Sequence, residues 1–194
     1  MQVLQKVRGS FEDWCRSFRQ REDWLILDTE TTGLKGQVID IAIVDHTGAT
    51  VYDQLIRPTC AVEAGAAAVH RITEAMLQNA PTWAEEYPKI EEIIKGKEIM
   101  TYNARFDMDR IMQSCMAHKI EMPEYTWHCL MLAYAKFYGA QDNYGRPGGW
   151  QKLEVACQQQ KIQVRPAHRA LADTKMTYAL LMKCGSGEPL QRYR

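Results

Sequence analysis

The sequence predicts an α/β fold, a mixed β-sheet flanked by α-helices. Three patterns point to it: an apolar run ending in a carboxylate at 24–28 (WLILD), two β-branched runs at 38–44 and 49–56, and apolar residues at helical spacing through most of the remainder. Strands first, then helices with a further strand among them, suit a layered sheet. At 194 residues the chain suits one domain with an ordinary core. Its 46% hydrophobic and 25% charged residues exclude disordered, collagen-like and low-complexity classes.

In chain order, residues 1–22 carry Val3, Leu4, Phe11, Trp14 and Phe18 at partly helical spacing, with five basic and three acidic side chains. They read as an N-terminal helical extension packed on its own domain, with docking of a protein partner as the second reading. The run at 24–28 has the pattern of a buried central strand whose C-terminal edge opens onto a site. Asp45-His-Thr-Gly48 between the next two strands suits a hairpin turn. Helices are expected at about 62–69, 73–78 and 82–95, the last after Pro81-Thr82, and a weaker strand at 98–102. Further helices are expected at 104–117 and near 128–138, 149–160 and 169–184. The Gly- and Pro-containing segment 139–149 reads as a mobile loop. Residues 185–194 form a C-terminal tail, too short for a polymerase-tethering region.

Lys plus Arg and Asp plus Glu number 24 each, so overall charge announces neither nucleic acid nor membrane. Six cysteines without a CxxC pair read as reduced core thiols. Charges break the apolar residues of the N-terminus before a signal-peptide core forms, and no run approaches a membrane span, which suits a cytoplasmic protein without membrane contact.

Chemistry concentrates in three places. Asp28-Thr-Glu30 sets two carboxylates at i and i+2, on one face of a strand. Buried together they repel unless a proton or cation compensates, so a divalent metal is the economical explanation, with an exposed acidic strand end as the alternative. Asp107, in Tyr-Asn-Ala-Arg-Phe-Asp, falls at a strand-to-helix junction, where a carboxylate also suits the helix dipole. Asp109 turns about 200° further around that helix and away from Asp107. In His168-Arg-Ala-Leu-Ala-Asp173, an all-helical path would set the two side chains about 140° apart, so His168 belongs in the loop before the helix, as Pro166 suggests. There it either swings over a metal held by Asp173 or lies at the surface.

Together, Asp-x-Glu, Asn-Ala-x-Phe-Asp and His-x-Ala-x-x-Asp resemble, in order and spacing, the three motifs of the DnaQ-like (DEDDh) branch of the DEDD exonucleases. The resemblance covers about residues 23–184; the sister branch has tyrosine where this chain has Arg169. Ala68-Val-His70-Arg-Ile-Thr73 and Lys152-Leu153 resemble secondary family segments, and Tyr102 departs from the histidine often found before Asn-Ala. The resemblance implies an RNase H-like fold holding two Mg²⁺ or Mn²⁺ ions, oxygen-seeking cations suited to four carboxylates. It implies that Asp28 bridges both ions, Glu30 and Asp173 hold the water-bearing one, Asp107 supports the second, and His168 is the general base. Thr31, Leu34, His70, Asn103 and Phe106 are similar to residues contacting the terminal nucleotide. His70 also suits a structural hydrogen bond, and Phe106 also suits a core position.

The expected activity is 3′-to-5′ exonuclease action on single-stranded or frayed DNA ends, releasing nucleoside 5′-monophosphates in proofreading, repair or mobile-element metabolism. RNA 3′-end trimming or oligoribonucleotide degradation is the alternative, and a non-catalytic binding module the third reading. A phosphatase reading is weaker, because Glu30 stands where an Asp-x-Asp nucleophile motif needs aspartate. Residues 161–194 hold seven Lys and Arg against two acidic residues, an excess that lets a phosphate strand approach an acidic site.

Overall fold

A computed structural model describes residues 3–139, 141, 149–164 and 168–193. Its elements run β1 (Val3–Leu4), α1 (Phe11–Arg19), β2 (Trp24–Thr31), β3 (Val38–Asp45), β4 (Thr50–Leu55), α2 (Ala64–His70), α3 (Glu74–Leu77), α4 (Trp83–Ile94), β5 (Glu98–Thr101), α5 (Ala104–Ala117), β6 (Thr126–Cys129), α6 (Leu130–Tyr138), α7 (Leu153–Gln159) and α8 (Ala170–Cys184). The strands form one mixed sheet in the order β1-β6-β5-β2-β3-β4. β2 pairs antiparallel with β3 and parallel with β5, so it is central, and its apolar residues Leu25, Ile26 and Leu27 are buried. α8 lies across β2 and β3 with α1 and α7 beside it, while α5 packs against β2, β3, β5 and β6.

Local chemistry explains the boundaries. Ser10 caps α1 by accepting from the Asp13 N–H, and Glu12 and Asp13 complement the dipole of that first turn. Thr82 and Glu85 form a reciprocal capping box at α4. In the 45–48 turn, Asp45 Oδ1 accepts from the N–H groups of Thr47 and Ala49, and Gly48 takes a left-handed φ of 82°.

Three expectations need correction. The helix expected near 128–138 begins at Leu130, because residues 126–129 form β6, held by parallel pairing with β5 and β1. The late helix expected from 149 begins at Leu153, with Lys152 as its N-cap. The N-terminal segment contains an edge strand besides its helix, and the apolar face of α1 is consumed within the protein: Phe11, Trp14, Cys15 and Phe18 are buried in the main core. The loop expected at 139–149 falls, apart from 139, 141 and 149, outside the described residues, as does Pro166.

Candidate active site

β2 delivers Asp28 and Glu30 from one strand face, and α8 delivers Asp173 from its first turn. Carboxylate oxygens of these three lie within 4.8 Å of one another. Asp107, in the first turn of α5, is buried, and its Oδ1 accepts from the Thr29 hydroxyl at 2.8 Å. Its charge is the strongest of the neighbouring charges acting on Asp28, ahead of Asp173 and Glu30. The three sequence motifs therefore meet at one place. Asp109, by contrast, pairs with Arg105 on the outer side of α5.

The electrostatics are those of crowded acids. Burial first, then Asp107, Asp173 and Glu30, raise the Asp28 carboxyl well above the usual carboxylate range. Glu30 is pushed up to about 8 by burial and then by Asp173, Asp40 and Asp107, with Arg169 opposing. Burial also raises Asp107 and Asp173, the latter drawn partly back by the backbone N–H and side chain of His168. One Asp173 oxygen, Oδ1, is buried without a hydrogen-bond partner among the described residues. An all-oxygen set that resists ionisation for want of positive charge, with a lone pair left unused, fits divalent cations.

His168 sits in the loop before α8 with a left-handed φ of 68°, a backbone state that costs a non-glycine residue about 1–2 kcal/mol. Its half-exposed imidazole has Nε2 3.7 Å from Glu154 Oε1 on α7. The next residue anchors this turn: Arg169 Nε donates to Asp40 Oδ2 at 2.8 Å, and the same oxygen accepts from the Ala170 N–H at 3.3 Å. Asp40 is buried on β3 directly opposite Glu30. Arg169, the N-cap of α8, makes no side-chain cap bond of its own, so Asp40 supplies an acceptor for the first turn from across the sheet.

Two concavities flank the carboxylates. One, about 390 Å³, is lined by Glu30, Thr31, Leu34, His70 and Phe106. Leu34 is 81% exposed, whereas Thr31 spends its hydroxyl on the Gly33 carbonyl. His70 Nδ1 accepts from the Ile72 N–H, which leaves the buried Nε2 as the N–H, without a well-formed hydrogen bond among the described residues. Phe106 is half-buried rather than a closed core residue. The other concavity, about 380 Å³, is lined by Asp173, His168, Lys152, Trp150, Tyr102 and Asn103. Asn103 thus lies apart from the other four residues expected around a terminal nucleotide.

Sequence reasoning missed Asp40, Glu154 and Trp150. Asp40 had a signal, a lone acid inside the β-branched run VIDIAIV, which a buried strand tolerates only with a partner. Glu154 and Trp150 had none, since their neighbours arrive through tertiary folding.

The profile of the RNase_T family, described as exonuclease, matches residues 25–181. An uncharacterized exonuclease, CP81, of Escherichia phage 186 is 30% identical over 175 residues, covering 86% of this chain and 90% of the phage protein. Exodeoxyribonuclease 10 of Escherichia coli K12 is 34% identical over 164 residues, 81% of this chain and 66% of that protein. Among solved structures, Exonuclease X in complex with 5′ overhanging duplex DNA superposes with a TM-score of 0.61 at 29% identity, covering 86% of this chain and 95% of the other. The nuclease domain of 3′hExo, a DEDDh family member bound to rAMP, gives 0.67 at 18% identity over 89% and 97%, a likeness of fold.

Proposed function

The chain belongs to the RNase_T exonuclease family, and from that premise we propose that it is a 3′–5′ exonuclease of DEDDh type that acts on single-stranded or frayed DNA 3′ ends, releasing nucleoside 5′-monophosphates. The observation that carries the proposal is the meeting of Asp28, Glu30 and Asp173 within 4.8 Å, beside buried Asp107 and below the turn that bears His168.

The four carboxylates would hold two divalent cations, Mg²⁺ or Mn²⁺. When bound, such ions neutralise the phosphate and make water a stronger acid. The protein's own residues do the rest. Thr31, Leu34, His70 and Phe106 receive the terminal nucleotide in the concavity beside Glu30, where the apolar side chains accept any base. Asn103 meets the strand from the other side of the carboxylates. His168 takes the proton from water as its oxygen attacks phosphorus; the bond to the 3′ oxygen of the preceding nucleotide breaks, and the 5′-monophosphate leaves. Glu154 Oε1, 3.7 Å from His168 Nε2, lines the same concavity. The Asp40–Arg169 pair holds the turn.

Six free cysteines accord with a reducing, cytoplasmic setting, and no helix among the described residues is long and apolar enough to cross a membrane. A role in repair or proofreading is part of the same proposal. Digestion of 3′-hydroxyl DNA and RNA oligonucleotides of identical sequence, with Mg²⁺ or chelator, tests it. Mononucleotide release that chelator abolishes and that is faster on DNA is expected. Faster release from RNA would overturn the DNA assignment, and release unaffected by chelator would overturn the metal site.

A further inference from the structure

Residues 150–154 line one side of the concavity that contains His168 and Asp173, and they lead into α7, whose Glu154 Oε1 lies 3.7 Å from His168 Nε2. The part before the helix has no regular secondary structure. Its Trp150 is 71% exposed and its Lys152 is exposed as well, so packing holds little of it. Hydrogen bonds hold it instead.

The Tyr102 hydroxyl donates to the Gln151 carbonyl at 2.8 Å, which ties the segment to the junction between β5 and α5. From Gln151 a row of amides and hydroxyls runs away from the site. Gln151 Nε2 donates to the Gly149 carbonyl at 3.0 Å, and Gln151 Oε1 accepts from Gln159 Nε2 of α7 at 2.8 Å. Gln159 Oε1 accepts from the Tyr134 hydroxyl of α6 at 3.0 Å, and that hydroxyl accepts from Gln160 Nε2 at 2.7 Å. Gln160 ends the row on the C-terminal tail: its Oε1 accepts from the Gln191 N–H at 3.0 Å, and its Nε2 donates to the Gln191 carbonyl at 2.9 Å. Tyr134 and Gln160 are buried. All three glutamine side chains use both oxygen and nitrogen, and the donors point one way from Gln160 to Gly149, so each bond polarises the next. Apolar side chains would fill the same volume; what a fully satisfied polar row adds is one fixed arrangement.

We propose that Tyr102, Gln151, Gln159, Tyr134 and Gln160 are positioning residues, a relay that moors the Glu154 side of the concavity so that His168 keeps the place from which it takes the proton of the attacking water. The assignment rests on the nuclease reading above. His168 stands on a turn held through Arg169 and Ala170 by Asp40, and the moored segment faces its imidazole with Glu154. None of the five relay residues touches the reacting atoms; they act through His168. Proton transfer loses rate steeply when its partners shift by about 1 Å, so slack in the mooring lowers kcat and leaves KM nearly unchanged. The tail is the far anchor, which makes a change at Gln160 felt at the site.

The test compares wild type, Tyr102→Phe and Gln160→Met, each also combined with His168→Ala, on a 3′-hydroxyl single-stranded oligodeoxynucleotide with Mg²⁺. Tyr102→Phe and Gln160→Met are each expected to lower kcat about fivefold with KM within about twofold, and the two together to lose little more than either alone. Combined with His168→Ala, each should change kcat by less than about twofold, because the group they position is gone. Backbone amide hydrogen exchange at 149–154, read by mass spectrometry without substrate, reports the mooring directly: both changes should speed it about tenfold while exchange in β2 stays at the wild-type rate. Tyr102→Phe removes a single oxygen and decides the matter alone if faster exchange in β2 shows Gln160→Met to be unfolded. Unchanged kcat, an equal loss with and without His168, or unaltered exchange at 149–154 overturns the relay. A wild type that releases no mononucleotides with Mg²⁺ overturns the nuclease reading instead, and the exchange measurement still decides the mooring.

Discussion

Glu30→Gln, compared with wild type across pH in chelator and in Mg²⁺, measures how strongly the acidic cluster opposes folding when no cation is bound. Burial and the charges of Asp173, Asp40 and Asp107 raise the Glu30 carboxyl from 4.5 to about 8. A carboxyl that holds its proton more tightly when folded contributes fully below about pH 4.5, and that contribution is lost as pH rises through about 8. At about 1.4 kcal/mol per pH unit the interval is worth about 5 kcal/mol, and water at the open side of the site trims this to roughly 2–3 kcal/mol. For a chain of this size that is about 5–10 °C in melting temperature. In chelator, followed by circular dichroism, the two proteins should melt close together near pH 4.5, and the variant should pull ahead by about this margin toward pH 8. Mg²⁺ should restore the wild type most at the higher pH, where its ligands give up protons most readily. A gap that does not change with pH, or a wild type indifferent to Mg²⁺ at pH 8, would refute the reasoning.

Asp28→Asn and His168→Ala should each lower kcat on a 3′-hydroxyl oligonucleotide by about 10²-fold or more while the circular dichroism spectrum stays native. Asp40→Ala removes the partner of Arg169 and the carboxylate at the start of α8; melting should fall by an amount equivalent to about 2–3 kcal/mol, and kcat should drop although the residue is not expected to touch substrate. Ser114→Ala leaves the buried Val38 N–H without its acceptor, at a cost of about 1–2 kcal/mol in urea unfolding with KM unchanged.

The elements most readable from sequence are those whose pattern reports their burial. β2 and β3 are apolar because both their faces are covered, and α5 and α8 carry their spacing because one face is. β6 was not readable. Four residues, Thr-Trp-His-Cys, run into α6 without glycine or proline between them, and only the pairing with β5 and β1 makes a strand of them. His128 follows the same logic: its Nε2 lies 2.8 Å from a Glu98 oxygen, a partner 30 residues away. The motif acids were named through the family resemblance, since each motif taken alone also suited a structural reading. Asp40 and Glu154 were not assigned, because each meets its neighbour only through folding: Arg169 from the start of α8 and His168 from the loop before it.

By itself, then, the order of residues determined the sheet-and-helix class and the central strand that ends in Asp28 and Glu30, since periodicity is a local property, while the candidate acids and histidine were named by the resemblance of their motifs to a family. The tertiary structure decided how those acids share one site, which turn is strained and what holds it. Those depend on distances between segments up to about 145 residues apart in sequence, such as Asp28 and Asp173, and such distances are fixed only when sheet pairing and core packing close the chain upon itself.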